Sequence, residues 1–433
     1  MKHINLKKLS SLSLGLITVF GSSLSQATSL EEVYRLAFSA DPQLQQAAYQ
    51  LIYSDENVLQ AKAALLPTID GKLTANWQDN SDSKASDSKS YSIHLKQELY
   101  SPALGSAYNK VKILDQQANL ILKQSQQQLI IRTVIAYTDS MIAKSNLSTT
   151  RAQERSIKQR LDRVNAEFEV GIIAITDVHE AKASYDNAKV DVIISVGALQ
   201  NSLEALQRLT GTLIKEVDSL TKNYPIKNLD PNLPDHWIAQ ALANNTALLI
   251  GKKTREAAHQ DTDIASANLK PSVKLQASHS RSDHSFNGTS SDNQIAIVLN
   301  LPLYNGGSLN SKVRQSLSAE NIAQSKQQDN IRAVTQTTRS LIRDIQTNVL
   351  SISARQQSIL SSKAALEAIS EGFNVGTRNI VDLLQAEQAV FSAENKYATA
   401  RLNHIRLFFK LKFQLGSVNE QDITELAKWM EAS

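Results

Sequence analysis

The sequence has no cysteine and few glycine, proline and aromatic residues. In 433 residues there are 14 Gly and 8 Pro, and 5% of the residues are aromatic. The absence of cysteine excludes disulfides, thiolate metal sites, a cysteine nucleophile and a lipid anchor on an N-terminal cysteine. Because Gly and Pro are the residues that most often interrupt helices, their shortage favours long helices over a compact mixed fold.

The sequence also lacks an apolar run of the roughly 20 residues that a membrane-spanning helix needs. Residues 1–27 have the basic start, the short apolar run and the Ser-Gln-Ala ending of a secretory signal peptide, with cleavage expected after Ala27. Removing this segment removes three lysines and lowers the formal charge of +4 to 4 − 3 = +1. A nearly neutral mature chain predicts that nucleic acid is not a partner.

Motifs of catalysis and cofactor binding are missing as well. The sequence contains no P-loop, no Rossmann fingerprint and no HExxH, and its 8 His are scattered. We therefore predict that the protein is not an enzyme and has no cofactor and no metal site.

What the sequence does contain is a repeat at a nearly constant spacing, which indicates a tandem duplication. Pro67 and Pro271 end similar segments 204 residues apart, and Gly171 and Gly376 lie in similar motifs 205 residues apart. The predicted organisation is a signal peptide (1–27), a first repeat (28–212), an inter-repeat linker (213–235), a second repeat (236–416) and a C-terminal tail (417–433).

Each predicted repeat has a helix, a strand pair, a very long helix and a further helix. Residues 68–100 and 272–303 alternate apolar and polar side chains, as in Val273, Leu275 and Ala277, which predicts strands. Polar segments 79–90 and 281–292 within these pairs are predicted to be loops. Between Gly105 and Gly171, and again between Gly307 and Gly372, no Gly or Pro occurs, which predicts helices of about 100 Å.

Four strands of about 10 residues can cross a bilayer but cannot close into a barrel. Open strand edges are excluded from lipid, because each unsatisfied N–H or C=O group costs several kcal/mol. The strands of several chains must therefore be pooled. Three chains give 12 strands and a lumen, whereas two give eight strands and a filled interior, so a homotrimer is preferred.

Two segments carry a specific resemblance, Phe168-Glu-Val-Gly-Ile-Ile-Ala-Ile-Thr-Asp-Val178 and Phe373-Asn-Val-Gly-Thr-Arg-Asn-Ile-Val-Asp382. With this doubled motif the chain resembles, over essentially the whole mature sequence, the TolC family of outer-membrane efflux and secretion channels. The resemblance implies a mainly α fold with membrane β-strands: a trimeric 12-strand outer-membrane β-barrel continued by a 12-helix α-barrel in the periplasm. It also implies a mixed belt formed by the linker and the C-terminal region.

The resemblance implies that the protein is the exit duct of tripartite efflux pumps, of type I protein secretion, or of both. The implied partners are a periplasmic adaptor, an inner-membrane RND, MFS or ABC transporter, and outer-membrane lipid. The residues alone leave open a periplasmic adaptor or a coiled-coil structural protein of the cell envelope.

By position in the family motif, Thr176 and Asp177 are expected to face Phe373 and Arg378 in a periplasmic gate. Phe373 replaces the tyrosine that is common in the family, which removes a hydroxyl link.

The resemblance also places Asp382 in an acidic ring that lines the lumen, and Gln385 replaces a second acid one helical turn further on. Gly171 and Gly376 are expected to break the helices. Pro67 and Pro271 are expected to set the turns from helix to strand.

Overall fold

The computed structural model describes residues 27–80, 83–284 and 288–431, with side chains described outside residues 78–86. The predicted signal peptide lies outside the described residues except for Ala27. The helices are α1 (Leu30–Ala40), α2 (Pro42–Ala63), α3 (Pro102–Glu169), α4 (Ile175–Thr210), α5 (Pro234–Asn244), α6 (Thr246–Ala267), α7 (Ser308–Asn374), α8 (Ile380–Gln414) and α9 (Glu420–Ala427). The strands are β1 (Thr68–Asn80), β2 (Ser83–Tyr100), β3 (Ser219–Leu220), β4 (Ser272–His284), β5 (Gly288–Asn300) and β6 (Met430–Glu431).

Helices α3 and α7 are 68 and 67 residues long, so each extends about 100 Å. This confirms the long helices predicted from the segments without Gly or Pro. Helix α3 packs against α2, α4, α6 and α8, while α7 packs against α5, α6 and α8. Among the described residues, no helix is both long and apolar enough to cross a membrane.

The long strands form one antiparallel sheet in the order β1-β2-β4-β5. They lie in the segments where alternation predicted strands, but the predicted loops 79–90 and 281–292 were wrong in extent. Strand β2 begins at Ser83, β4 continues to His284 and β5 begins at Gly288. The backbone ladder continues there although these segments are mainly polar in sequence, so hydrophobic alternation does not mark the strand ends.

The ends of the strands next to the helices are set by proline. Pro67 lies between the last turn of α2 and the start of β1, and Pro271 lies between α6 and β4. The predicted strand to residue 303 was wrong, because β5 ends at Asn300. Pro302 follows, and proline has no N–H to donate to a ladder.

A belt of small elements packs on the long helices. The two-residue strands β3 and β6 pair antiparallel, and Thr28 forms a parallel bridge with Val217. The Tyr137 hydroxyl of α3 donates to the Thr28 carbonyl at 2.9 Å and accepts from the Asp218 N–H at 2.9 Å. The linker 213–235 is thus held in place on the long helices. Its strand β3 pairs with β6 and so connects the linker to the C-terminal segment.

The belt also buries a histidine of α8. His404 is 1% exposed and packs against the rings of Tyr224 and Phe408. Its Nδ1 atom has no hydrogen-bond partner among the described residues. Burial disfavours the charged imidazolium and lowers the pKa of His404 to about 4.

Candidate functional site at the ends of the helical hairpins

The turns α3–α4 and α7–α8 have the same backbone geometry. Gly171 and Gly376 both have φ of 77°, a left-handed conformation that is costly for residues with a Cβ. The Gly171 N–H donates to the Phe168 carbonyl at 2.9 Å, and the Gly376 N–H donates to the Phe373 carbonyl at 3.0 Å. Each glycine therefore ends its helix by capping carbonyls of the last turn.

The helices that follow the two turns begin differently. Asn379 caps α8, because its side-chain oxygen accepts the N–H of Asp382 at 2.8 Å. The residue at the same position before α4 is Ala174, which makes no side-chain cap. The Thr377 hydroxyl also donates to the Gly372 carbonyl at 3.0 Å. The α7–α8 turn is therefore held by more side-chain hydrogen bonds than the α3–α4 turn.

Arg378 lies against the end of α7 and pairs within its own helical turn. A Cβ on Gly372 would lie 2.8 Å from Arg378 Cγ, so the absence of a side chain at residue 372 makes room for the arginine. The Arg378 Nη1 atom is 3.7 Å from Asp382 Oδ2, and both side chains are partly solvated. Exposed pairs of this kind contribute about 0 to 1 kcal/mol.

The predicted partners of Arg378 on the other turn are Thr176, which is exposed, and Asp177, which is half-buried. Within one chain, over residues 27–80, 83–284 and 288–431, no ion pair or hydrogen bond joins the side chains of Asp177 and Arg378. A contact between neighbouring subunits stays a prediction.

Phe373 is half-buried and makes an apolar contact instead of a polar link. It packs on a cluster of buried side chains from α3, α4 and α8: Ile157, Leu161, Val164, Ala181, Ala188, Ile380, Leu383 and Leu384. The Arg160 guanidinium carbon lies 6.0 Å from the centroid of the Phe373 ring. The phenyl ring thus covers a cation of the neighbouring hairpin.

That cation belongs to a buried ion pair that the sequence analysis missed. Arg160 Nη2 of α3 donates to Glu387 Oε1 of α8 at 2.9 Å, and the two side chains are 13% and 8% exposed. The Ser156 hydroxyl donates to Glu387 Oε2 at 3.4 Å. The pair joins the two hairpins near their ends, and no local motif signals it because its members are 227 positions apart.

The two residues assigned to the lumen lie on the first turns of α8. Asp382 is half-buried, and Gln385 is exposed one turn further on. Gln385 lines a groove of about 260 Å³ between α3, α4 and α8, together with Glu180 and Asp191. A ring of Asp382 side chains requires several chains and stays a prediction. In the described part of the chain, no group of three acidic or histidine side chains is placed to hold a metal ion.

A model of the family described as outer membrane efflux protein matches residues 33–212 and 237–417. This chain belongs to that family. The two matched segments contain the long helices, the four-stranded sheet and both hairpin ends, so the candidate site lies inside the family region. This membership favours the outer-membrane channel over the adaptor and coiled-coil alternatives.

Relatives in this family include the outer membrane protein TolC of Vibrio cholerae, which is 31% identical over 416 residues and covers 94% of each chain. TolC of Escherichia coli is 30% identical over 440 residues, 97% of this chain and 89% of the relative. The alkaline protease secretion protein AprF of Pseudomonas aeruginosa is 25% identical, over 93% of this chain and 87% of its own.

Solved structures have the same fold. The channel CusC matches with a TM-score of 0.81 over 90% of this chain and 93% of its own, at 16% identity. The outer membrane channel CmeC of Campylobacter jejuni matches with a TM-score of 0.80 over 96% of this chain and 95% of its own, also at 16% identity.

Proposed function

We propose that three copies of this chain form an outer-membrane channel whose helices continue as a tunnel into the periplasm, and that it serves as the exit duct for efflux and type I secretion. The observation that carries the proposal is the four-stranded sheet. In the described residues, β1 and β5 have a neighbour on one side only. Such edges are tolerated in lipid only when strands of another chain complete them.

The two faces of the sheet differ in polarity. Directly paired residues share a face, so the row Ile69, Leu95, Ala277 and Ile295 is apolar across all four strands. The next row on the opposite face, Asp70, His94, Ser278 and Gln294, is polar. This alternation is typical of a barrel with lipid outside and water inside.

The apolar side chains are unprotected in a single chain. Leu73 is 86% exposed and Ile295 is 81% exposed. A soluble monomer rarely leaves such a large contiguous apolar surface in water. The exposed face therefore supports contact with outer-membrane lipid.

The height of this face suits a bilayer. Tyr91 and Tyr100 lie on the same face of β2, because a register shift after Glu98 places Tyr100 opposite Val273. Nine residues at about 3.3 Å, tilted by about 40°, cover about 23 Å along the membrane normal. Transmembrane barrels have an apolar band of about 25 Å between two aromatic girdles.

We infer that each chain arose by tandem duplication, so that three chains supply 12 strands and 12 tunnel helices in the assembly. Most corresponding elements have matched lengths: α1 and α5 have 11 residues, α2 and α6 have 22, and β1 and β4 have 13. The exception is the second strand of each pair, since β2 has 18 residues and β5 has 13. The long helices have 68 and 67 residues, and α4 and α8 have 36 and 35. Equal φ values at the two hairpin glycines support the same inference.

The proposed partners are a periplasmic adaptor and an inner-membrane transporter of the RND, MFS or ABC class. The names of the relatives, which include efflux and protease secretion proteins, support both routes. The channel itself is passive and has no catalytic role.

The proposed gate is at the hairpin ends. Asp177 of one subunit pairs with Arg378 of the next, and Asp382 competes for the same guanidinium within the chain. Each exposed pair contributes about 0 to 1 kcal/mol, so three copies form a latch of a few kcal/mol at most. An adaptor that binds the open state more tightly would release it.

The experiment is to extract the mature protein from outer membranes and to compare its electrophoretic mobility with and without heating, then to record conductance in planar bilayers. The proposal predicts a heat-sensitive trimer and discrete conductance steps. A monomer recovered from the periplasm, with no conductance after reconstitution, would overturn it.

A further inference from the structure

We propose that the apolar face of the sheet ends, on its loop side, in a binding site for the phosphate of an outer-leaflet lipid headgroup, with Arg281 and Lys89 as the anion-binding side chains. This inference rests on the proposed function, because the site exists only where this face meets lipid.

The site begins at one row of the sheet. Leu73, Tyr91 and Arg281 are paired across β1, β2 and β4 and therefore share the apolar face. On the helix side of this row the same face is mainly apolar, with Ile69, Ile93, Leu95, Leu275, Ala277, Ile295 and Ile297. On the loop side, the next row contains Lys89 and Asp283. Arg281 thus stands where the apolar surface gives way to a polar one.

The Arg281 guanidinium has no acidic partner in the described part of the chain. The carboxylates of Asp87 and Asp283 lie on this face on the loop side of Arg281. Asp283 is paired with Lys89 in the register and accepts the Thr289 hydroxyl at 3.2 Å. Neither carboxylate forms an ion pair with Arg281 in the described part of the chain, so the guanidinium remains open to an anionic ligand.

Neighbouring polar groups are occupied by one another. The Tyr91 hydroxyl lies 3.4 Å from His279 Nε2, and His279 Nδ1 lies 2.7 Å from Asn293 Oδ1. The Tyr91 and His279 rings are also in contact, with centroids 5.7 Å apart. These hydrogen bonds connect side chains of β2, β4 and β5 and fix the Tyr91 ring beside Arg281. The Arg281 guanidinium takes no part in them and can bind a ligand.

The chemistry of this position fits a lipid phosphate. A cation on a lipid-facing strand is tolerated close to the interface, where headgroup phosphates lie. A guanidinium can bind a phosphate through two parallel N–H donors. A cleft of about 480 Å³ is lined by Leu73, Ala75, Lys89, Tyr91, Arg281 and Asp283. Its combination of cationic and apolar walls suits a phosphate attached to acyl chains.

The test uses the full chain in detergent micelles and two probes, lipid A and lipid A from which the phosphates have been removed. Retained lipid is measured after size-exclusion chromatography for the unmodified protein, Arg281→Gln, Arg281→Lys, Lys89→Gln and Lys96→Gln. Lys96 is the matched control, because it lies on the same strand as Lys89 but on the opposite face. Planar-bilayer conductance of each preparation shows whether it forms channels.

We expect Arg281→Gln to bind phosphorylated lipid A at least about tenfold more weakly, as for the loss of one charge-assisted bidentate pair. Lys89→Gln should weaken binding less, Lys96→Gln should have no effect, and Arg281→Lys should fall between Arg281→Gln and the unmodified protein. The lipid without phosphates should bind all variants equally weakly.

Unchanged binding by conducting Arg281→Gln channels would overturn the lipid site and leave the channel proposal intact. Equal binding of the two probes by the unmodified protein, or full competition by inorganic phosphate at the lipid concentration, would also overturn it. Absence of conductance from every preparation, the unmodified protein included, would instead overturn the channel proposal together with the site.

Discussion

Replacing Glu387 by glutamine should loosen the contact between the two hairpins near the proposed gate. The substitution keeps the size of the side chain but removes the charge that faces Arg160. The Arg160 guanidinium would then stay buried at 13% exposure beside the Phe373 ring, facing a neutral amide in place of a carboxylate. Removing the charge of one partner of a buried ion pair destabilises the folded state by about 3 to 5 kcal/mol.

Because Arg160 retains some contact with solvent and with Phe373, the lower end of that range applies, about 3 kcal/mol. Each 1.4 kcal/mol is a factor of ten, so local opening of the hairpin ends should become about 100-fold more frequent. The assay is hydrogen exchange of the backbone amides in the first turns of α8, measured by mass spectrometry on the purified channel.

A matched control is available on the same helix. Lys363 Nζ lies 2.8 Å from Glu394 Oε1, a similar distance, but these side chains are 56% and 39% exposed. Glu394→Gln should therefore change exchange by less than about fivefold, since exposed pairs contribute at most about 1 kcal/mol. The double variant Arg160→Met/Glu387→Leu should restore slow exchange, because apolar pairs often replace buried ion pairs without loss. Exchange within about twofold of the unmodified protein in Glu387→Gln would refute the reasoning.

Three further predictions concern the turns, the latch and the belt. Gly376→Ala should destabilise the α7–α8 turn by about 1 to 2 kcal/mol, because φ is 77° there, and should lower the thermal unfolding temperature of the purified protein. Gly105→Ala, at a helical glycine with open space around it, is the control. Arg378→Ala should raise single-channel conductance in planar bilayers, and an unchanged conductance would count against the latch. Folding favours the neutral form of His404, so the stability linked to its titration is fully present above the unfolded-state pKa of about 6.5. This contribution is lost as the pH falls towards the folded-state pKa of about 4. His404→Phe should remove that part of the pH dependence of thermal unfolding, and an identical pH profile would show that another group is responsible.

The long helices and the positions of the main strands could be predicted because the responsible signals are local. Absence of Gly and Pro over more than 60 residues permits one uninterrupted helix, and alternation of side chains selects the strand. The break between α5 and α6 at Asn245 was missed in a segment predicted as one helix, since no Gly or Pro marks it. An asparagine that caps the next helix has the same local signature as a surface residue.

Contacts between distant segments could not be predicted from the same signals. The pairing of β3 with β6 depends on two residues in each strand, too few for any periodicity. The Arg160–Glu387 pair requires knowledge of which faces of α3 and α8 meet. Without that knowledge, both residues are ordinary charged positions on long helices.

The most direct test of the proposed trimer is a disulfide between the unpaired edge strands β1 and β5 of neighbouring chains. The natural chain has no cysteine, so Thr74→Cys on β1 can be combined with single cysteines placed in turn along residues 288–300 of β5. If neighbouring subunits join β1 to β5, adjacent register positions will give a covalent trimer on non-reducing gels of outer membranes. Only monomers at every position, in a protein that still reaches the outer membrane, would contradict the account.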